Sequence, residues 1–356
     1  MKILCLIEAL GSGGAERQLT GLAAMLKEKG NDVKVVTYYH KDFYRSVLDK
    51  AGVKFEYLAK AQSKIRRIPE LAKAIHSFRP EAVIAYSPSA AEVTCLLKRI
   101  GFKYKLIVSE RNTTQFYDKR EKVRFYSFRW ADWIVPNSHS QSRFIIKHCP
   151  NLEQKIQVIT NFVDIDYFSP SVERKAEDER IRMVCVGRLF PQKNVLSFLD
   201  VVKRLKDNGV ILHIEWYGHN EGEYADECME KVKHLGIEGM ITFKGAVENV
   251  LDVYRSADVF CLPSLYEGFP NVVCEAMSCG VPVLCSRVCD NPDIVENHKQ
   301  GLLFDPTSVD DMTNTITHFL GLTKEERQGM RVACREKAVR MFAKEHFIEQ
   351  YEQLLK

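Results

Sequence analysis

Two α/β domains, each a parallel sheet covered by helices, are predicted for this 356-residue chain. Three observations predict them: the length, an alternation of strand-like and helix-like runs, and a restart of that alternation half-way along. The chain is about twice an ordinary domain of ~150 residues, and its 46% hydrophobic composition can fill two cores.

In the first half, strands are predicted at Ile3–Ile7, Val33–Tyr38, Ala82–Tyr86, Leu106–Ser109 and Trp133–Pro136, with helices near Ala15–Lys29 and Ser46–Ala51. Glu8 interrupts the opening apolar run and Gly11 to Gly14 follow at once, so that run reads as a strand rather than a secretory leader. A polar, charged stretch from Ser169 to Arg180 marks the domain boundary. Beyond it, strands are predicted at Met183–Val186, Leu212–Trp216, Ile241–Phe243, Val259–Leu262 and Val281–Cys285. Met341–Leu355 places Phe342, Phe347, Ile348, Tyr351, Leu354 and Leu355 at the spacing of one buried helix face. The expected domains are 1–165 and 166–340, followed by a closing helix, 341–356.

No apolar run approaches the ~18 residues of a membrane helix. The uncharged run Ala276–Ser286 is short and contains Gly280 and Pro282. The expected location is cytoplasmic, free or peripheral on the inner face of the membrane. Net charge is +4, but residues 1–160 hold 28 Lys and Arg against 15 Asp and Glu, and the remainder hold 23 against 32. Basic residues bunch between Lys60 and Lys73 and between Lys98 and Arg129. These clusters meet either an anionic partner such as a membrane surface or only solvent. Nucleic acid is not an expected partner.

Eleven cysteines without an export signal suit a reducing compartment, and Cys5, Cys185, Cys261 and Cys285 lie inside strand-like runs as small core residues. No CxxC pair occurs, so no metal site is expected.

Three segments carry candidate chemistry. The first predicted strand ends in Gly11-Ser12-Gly13-Gly14-Ala15-Glu16-Arg17, a tight turn opening a helix, which suits an anionic ligand. A dinucleotide fingerprint needs a third glycine where Glu16 stands, and no Gly-Lys-Ser/Thr follows for a nucleoside triphosphate. In the second half Gly187-Arg188 ends a strand and Lys193 follows at the next helix; two cations beside a glycine turn can hold a diphosphate, or can be plain surface charges. Finally, the strand Val259–Leu262 runs into Pro263-Ser264-Leu265-Tyr266-Glu267-Gly268-Phe269-Pro270-Asn271, with Glu275 on the following helix. Amides from Gly268 to Val272 at the positive end of that helix can stabilise negative charge; otherwise Glu267 is a loop carboxylate and Glu275 an acid of an ordinary first turn.

Gly187-Arg188-x4-Lys193 with Pro263-Ser264-x2-Glu267-Gly268-Phe269-Pro270-Asn271-x3-Glu275-Ala276-Met277 resembles the C-terminal half of glycosyltransferase family 4. Gly13-Gly14-Ala15-Glu16-Arg17 resembles that family's N-terminal glycine turn, and Asn161-x-Val163-Asp164-x3-Phe168 its interdomain segment. The resemblance implies the GT-B fold: two Rossmann-like domains, acceptor-binding then nucleotide-sugar-binding, with the last helix crossing back to the first. It further implies that Gly187, Arg188 and Lys193 bind the donor diphosphate, and that Glu275 holds the ribose. Glu267, with the backbone of Gly268, Phe269, Pro270, Asn271 and Val272, would address the donor sugar, and Gly14 would approach the phosphates. Glu267, Arg188 and Lys193 are thus the expected catalytic residues.

The implied reaction is sugar transfer from a nucleotide-diphosphate donor, UDP favoured, with retention of configuration and no essential metal or cofactor. The expected acceptor is a glycan or lipid-linked saccharide of surface polysaccharide synthesis. Members of the family often carry a histidine where this chain reads Ser109-Glu110-Arg111-Asn112. Arg111 cannot shuttle a proton, so Glu110, Arg111 and Asn112 are acceptor-side candidates for steering charge or binding. Ser87 and Ser89 line the acceptor side or are loop hydroxyls. A GT-B nucleotide-sugar epimerase and a non-catalytic sugar-nucleotide-binding subunit are the competing readings.

Overall fold

The computed structural model describes residues 1–111, 113–171 and 181–356. Asn112 and most of the polar boundary stretch therefore lie outside the described residues. The chain forms two compact units, Met1–Phe162 with Lys344–Lys356, and Val163–Ala343.

The first unit holds six strands: β1 (Lys2–Ile7), β2 (Asp32–Thr37), β3 (Lys54–Tyr57), β4 (Ala82–Ala85), β5 (Lys105–Glu110) and β6 (Trp133–Pro136). They pair in parallel in the order β3-β2-β1-β4-β5-β6. The second unit repeats the arrangement with β7 (Ile181–Val186), β8 (Leu212–Tyr217), β9 (Ile241–Gly245), β10 (Val259–Leu262), β11 (Val283–Ser286) and β12 (Gly301–Phe304). Its order, β12-β11-β10-β7-β8-β9, is the same winding read from the other edge. Both are the doubly wound order in which the chain starts centrally and reverses direction once. That reversal falls between β1 and β4 in the first sheet and between β7 and β10 in the second, and it opens a crevice at the carboxyl ends of those strands.

The centre of each sheet is buried on both faces, so its inner strands read as nearly continuous apolar runs. Along β1, Leu4 and Leu6 enter one core while Ile3, Cys5 and Ile7 enter the other. In β7, Met183 and Cys185 pack beside Phe198 and Trp216, while Val184 faces Tyr254 and Phe260. The core cysteines are inert: burial pushes the Cys5 thiol up to about 12 and drives Cys261 and Cys285 well above their ordinary value.

The closing helical pattern is two helices rather than one. Lys324–Phe342 belongs to the second unit, where the Phe342 ring meets Phe269 at 6.1 Å. Ala343 then turns extended, with ψ 140°, and Lys344–Leu355 belongs to the first unit. There Phe347 packs on Phe162 at 5.0 Å and the Tyr351 hydroxyl lies 3.0 Å from that of Tyr86. β11 starts at Val283, later than expected, because Val281 and Pro282 precede the ladder.

Candidate donor site in the second unit

The crevice between β7 and β10 collects most of the expected donor residues. Gly187 follows β7 directly; its N–H donates to the Tyr217 carbonyl at 2.8 Å, and its own carbonyl accepts from the Trp216 indole at 2.7 Å. Gly218 packs against this turn with φ +146°, and a Cβ there would stand 2.2 Å from the Gly187 oxygen. Gly218 is therefore needed to keep the turn in place, a role with no signature in the local sequence.

Lys193 ends a short 3-10 turn, Pro191–Lys193, and its ammonium lies 2.6 Å from Glu267 Oε1. Gln192 binds the same loop, donating to the Tyr266 carbonyl at 2.8 Å, while the Leu265 N–H donates to the Gln192 carbonyl at 2.9 Å. The loops after β7 and β10 are thus stitched together, and the Lys193–Glu267 pair sits at the seam. Glu267 is only 7% exposed, and its backbone N–H points to the Cys289 sulfur at 3.5 Å. Cys289 itself adopts a left-handed conformation, φ +49°, which is uncommon for a residue with a Cβ. Arg188 differs: it is exposed, forms no ion pair among the described residues and lies over the Phe190 ring at 5.4 Å.

Glu275 is the fifth residue of the helix Asn271–Ser278, beyond its first turn, and 3% exposed. Its carboxylate accepts from the Tyr254 hydroxyl at 2.9 Å. The ordinary first-turn reading therefore does not hold for it. The amide row is narrower than expected. Pro270 has no N–H and Asn271 donates its own to the Phe269 carbonyl at 3.0 Å, which leaves Gly268, Phe269 and Val272 as donors toward a ligand. The Phe269 side chain is core.

In the first unit the acceptor-side candidates turn inward. Arg111 donates all five of its N–H groups internally: to Ser109 at 2.7 Å, Ile159 O at 3.3 Å, Asn161 at 2.9 Å, Tyr86 at 2.9 Å, and Tyr351. It ties the last helix to the sheet and has no donor left for a ligand, which corrects the expectation for this residue. Glu110 is buried in a bidentate pair with the Arg124 guanidinium at 2.9 and 3.1 Å. Ser87 caps the helix Pro88–Arg99, accepting from the Ala90 N–H at 3.3 Å. Ser89 accepts from Arg67. Arg67 and Arg124 are each buried, so those two members of the basic clusters face no partner surface. Among the described residues, no group of three or more His, Cys, Asp or Glu side chains is placed to hold a metal ion.

The family model described as Glycosyltransferase Family 4 matches residues 12–167, and the model described as Glycosyl transferases group 1 matches residues 170–338. The chain belongs to glycosyltransferase family 4. This glycosyltransferase is 28% identical over 316 residues to GalNAc-alpha-(1->4)-GalNAc-alpha-(1->3)-diNAcBac-PP-undecaprenol alpha-1,4-N-acetyl-D-galactosaminyltransferase of Campylobacter jejuni, covering 85% of this chain and 84% of that one. It is 29% identical over 217 residues to UDP-Gal:alpha-D-GlcNAc-diphosphoundecaprenol alpha-1,3-galactosyltransferase of Escherichia coli, covering 56% of this chain and 55% of the relative. Its fold is that of Anabaena HepE, crystallised with UDP and glucose, with TM-score 0.87 and 20% identity over 100% of this chain and 99% of HepE. The fold is thus the two-domain GT-B type.

Proposed function

We propose that this glycosyltransferase moves a hexosyl or N-acetylhexosaminyl group from a UDP-sugar to a saccharide carried on a lipid diphosphate, with retention of anomeric configuration. The observation that carries the reading is the Lys193–Glu267 pair beside the Gly187 turn, at the point where the second sheet reverses direction, the place where such sheets bind nucleotides. The names of the relatives support the lipid-linked acceptor, and the UDP bound in HepE supports the donor.

In this reading Arg188 and Lys193 take the diphosphate charge and stabilise it as the glycosidic bond breaks. Glu267 releases Lys193 to the phosphates and meets the donor sugar, while the amides of Gly268, Phe269 and Val272 face the same group. Glu275, held by Tyr254, accepts from the ribose hydroxyls. Because the two cations carry the diphosphate, no metal ion enters the proposed step. A screen of nucleotide sugars for UDP or GDP release tests the function without an acceptor. Slow release from a UDP-sugar, equal with and without EDTA, is expected. Accumulation of an epimer, or binding without release, would replace transfer by the competing readings.

The lipid carrier gives the basic first unit a membrane partner. The helix Lys119–Ser127 and its flanks expose Phe116, Val123 and Tyr126 at 81%, 69% and 53%, interleaved with Lys119, Arg120, Lys122 and Arg129. Apolar side chains set among cations suit the interface of an anionic bilayer, each cation adding about 1 kcal/mol near the surface. Among the described residues, no helix is long and apolar enough to cross a membrane. Co-sedimentation with vesicles containing anionic lipid is expected and should weaken with added salt; Val123→Asp should lower it further. Equal partition into neutral and anionic vesicles would remove the membrane from the account.

A further inference from the structure

Glu267 is pinned from two sides through one peptide unit. The Tyr266 carbonyl accepts from the side-chain amide of Gln192, in the loop after β7, at 2.8 Å. The Glu267 N–H of the same peptide donates to the sulfur of Cys289, in the loop after β11, at 3.5 Å. Carbonyl and N–H point to opposite sides of a planar trans peptide, so the two contacts together oppose its rotation. That plane sets where the Glu267 Cα stands, and with it the carboxylate that meets Lys193 at 2.6 Å.

The turn that presents Cys289 would ordinarily carry glycine. Val288 to Asn291 is closed by the Asn291 N–H, which donates to the Val288 carbonyl at 3.0 Å. Cys289 has φ +49°, and Asp290 follows with φ −95° and ψ 2°. These are the φ values and the second ψ of a type II′ turn, whose first central position favours glycine. The surroundings hold this shape: the Arg287 N–H donates to the Phe304 carbonyl at 2.7 Å, the Asn291 side-chain amide donates to the Ser286 carbonyl at 2.8 Å, and Asp290 and Asn291 are buried. A side chain is thus kept where a Cβ is disfavoured, in contact with the segment that carries Glu267, and such strain points to a use for that side chain.

We propose that Cys289 is a positioning residue for sugar transfer: its sulfur holds the Tyr266–Glu267 peptide in the orientation that aims the carboxylate at Lys193 and the donor. Sulfur is a weak acceptor, but it works here with Gln192 on the opposite side of the same plane. Glycine at this position would relieve the turn and release the peptide, so stability and turnover should move in opposite directions. Serine keeps an acceptor and the strain, alanine keeps the strain alone, and glycine keeps neither.

The proposal rests on the proposed function, and amide exchange lets it fail separately. Cys289→Ser, Cys289→Ala and Cys289→Gly are compared with the wild type for UDP release from UDP-sugars, UDP affinity, melting temperature and hydrogen exchange at the Glu267 amide. Turnover is expected to fall ~10-fold or more in Cys289→Ala and Cys289→Gly and to recover at least in part in Cys289→Ser, with UDP affinity little changed. Exchange at the Glu267 amide should quicken ~10-fold or more in the alanine and glycine variants. Cys289→Gly should nevertheless melt above Cys289→Ala, by roughly 2 °C or more. Wild-type turnover in Cys289→Gly, unchanged Glu267 exchange in Cys289→Ala and Cys289→Gly, or turnover that simply follows melting temperature would overturn the assignment. A wild type that turns over no nucleotide sugar, with exchange still quickened in those two variants, would confirm the tether and place the failure in the proposed function.

Discussion

Glu267→Gln is expected to slow sugar transfer by at least ~10²-fold, the cost of losing one electrostatic stabiliser, while the protein stays folded. The carboxylate is 7% exposed and paired with Lys193 at 2.6 Å in the ligand-free chain. When a diphosphate draws the ammonium away, that carboxylate is left beside the amides of Gly268, Phe269 and Val272, placed to balance positive charge on the breaking sugar. Glutamine keeps the shape and one acceptor but removes the charge. It also removes the competitor for Lys193, so UDP affinity should hold or rise. That opposite movement of turnover and nucleotide affinity separates a role in chemistry from a role in folding. Glu275→Gln should lower UDP affinity instead, because the proposed partner of Glu275 is the ribose. Transfer rate and UDP affinity measured on both variants check the pair, and near-normal turnover in Glu267→Gln would end the assigned role.

Arg188→Ala is expected to weaken UDP binding roughly ten- to a hundred-fold, the worth of one charge-assisted contact of about 1.5–3 kcal/mol. Its side chain is exposed and lies over Phe190, so truncation leaves no buried group unpaired and thermal stability should hold. Lys193→Ala should cost as much affinity but also lower the melting temperature, because it removes the cation paired with the Glu267 carboxylate at a site with little solvent. Calorimetric UDP titration with a melting curve on each variant distinguishes the two cations. Unchanged UDP and GDP affinity in both would remove the diphosphate site.

The strands that form the centre of each sheet were legible because both faces are buried, which leaves unbroken runs such as Ile3–Ile7 and Val259–Leu262. One edge strand of each sheet was not, although β6 and β9 at the opposite edges were. β3 reads Lys-Phe-Glu-Tyr, with charged side chains toward solvent, and β12 is a four-residue run behind His298-Lys299-Gln300. The helix break at Ala343 was hidden because the apolar spacing continues across it while its two sides serve different cores. In the site, Arg188, Lys193, Glu267 and Glu275 could be picked out because they fall in recognisable patterns in the segments that follow β7 and β10. Their partners could not: Gln192, Tyr254, Cys289 and Gly218 meet them through the fold, from segments with no local signal. Arg111 shows the same limit in reverse. Its acceptors lie on Tyr86, Ser109, Ile159, Asn161 and Tyr351, so a cation that looks available in sequence is fully committed in space.

The central claim is that the crevice between β7 and β10 holds a nucleotide sugar and cleaves it. Incubating the wild type and Glu267→Gln with UDP-glucose, UDP-galactose and their N-acetylamino counterparts, and following free UDP, tests this most directly. Slow UDP release from at least one donor by the wild type, with Glu267→Gln binding that donor but releasing UDP at least ~10²-fold more slowly, is the predicted result. Equal release by both proteins, or no binding and no release with any donor, would contradict it.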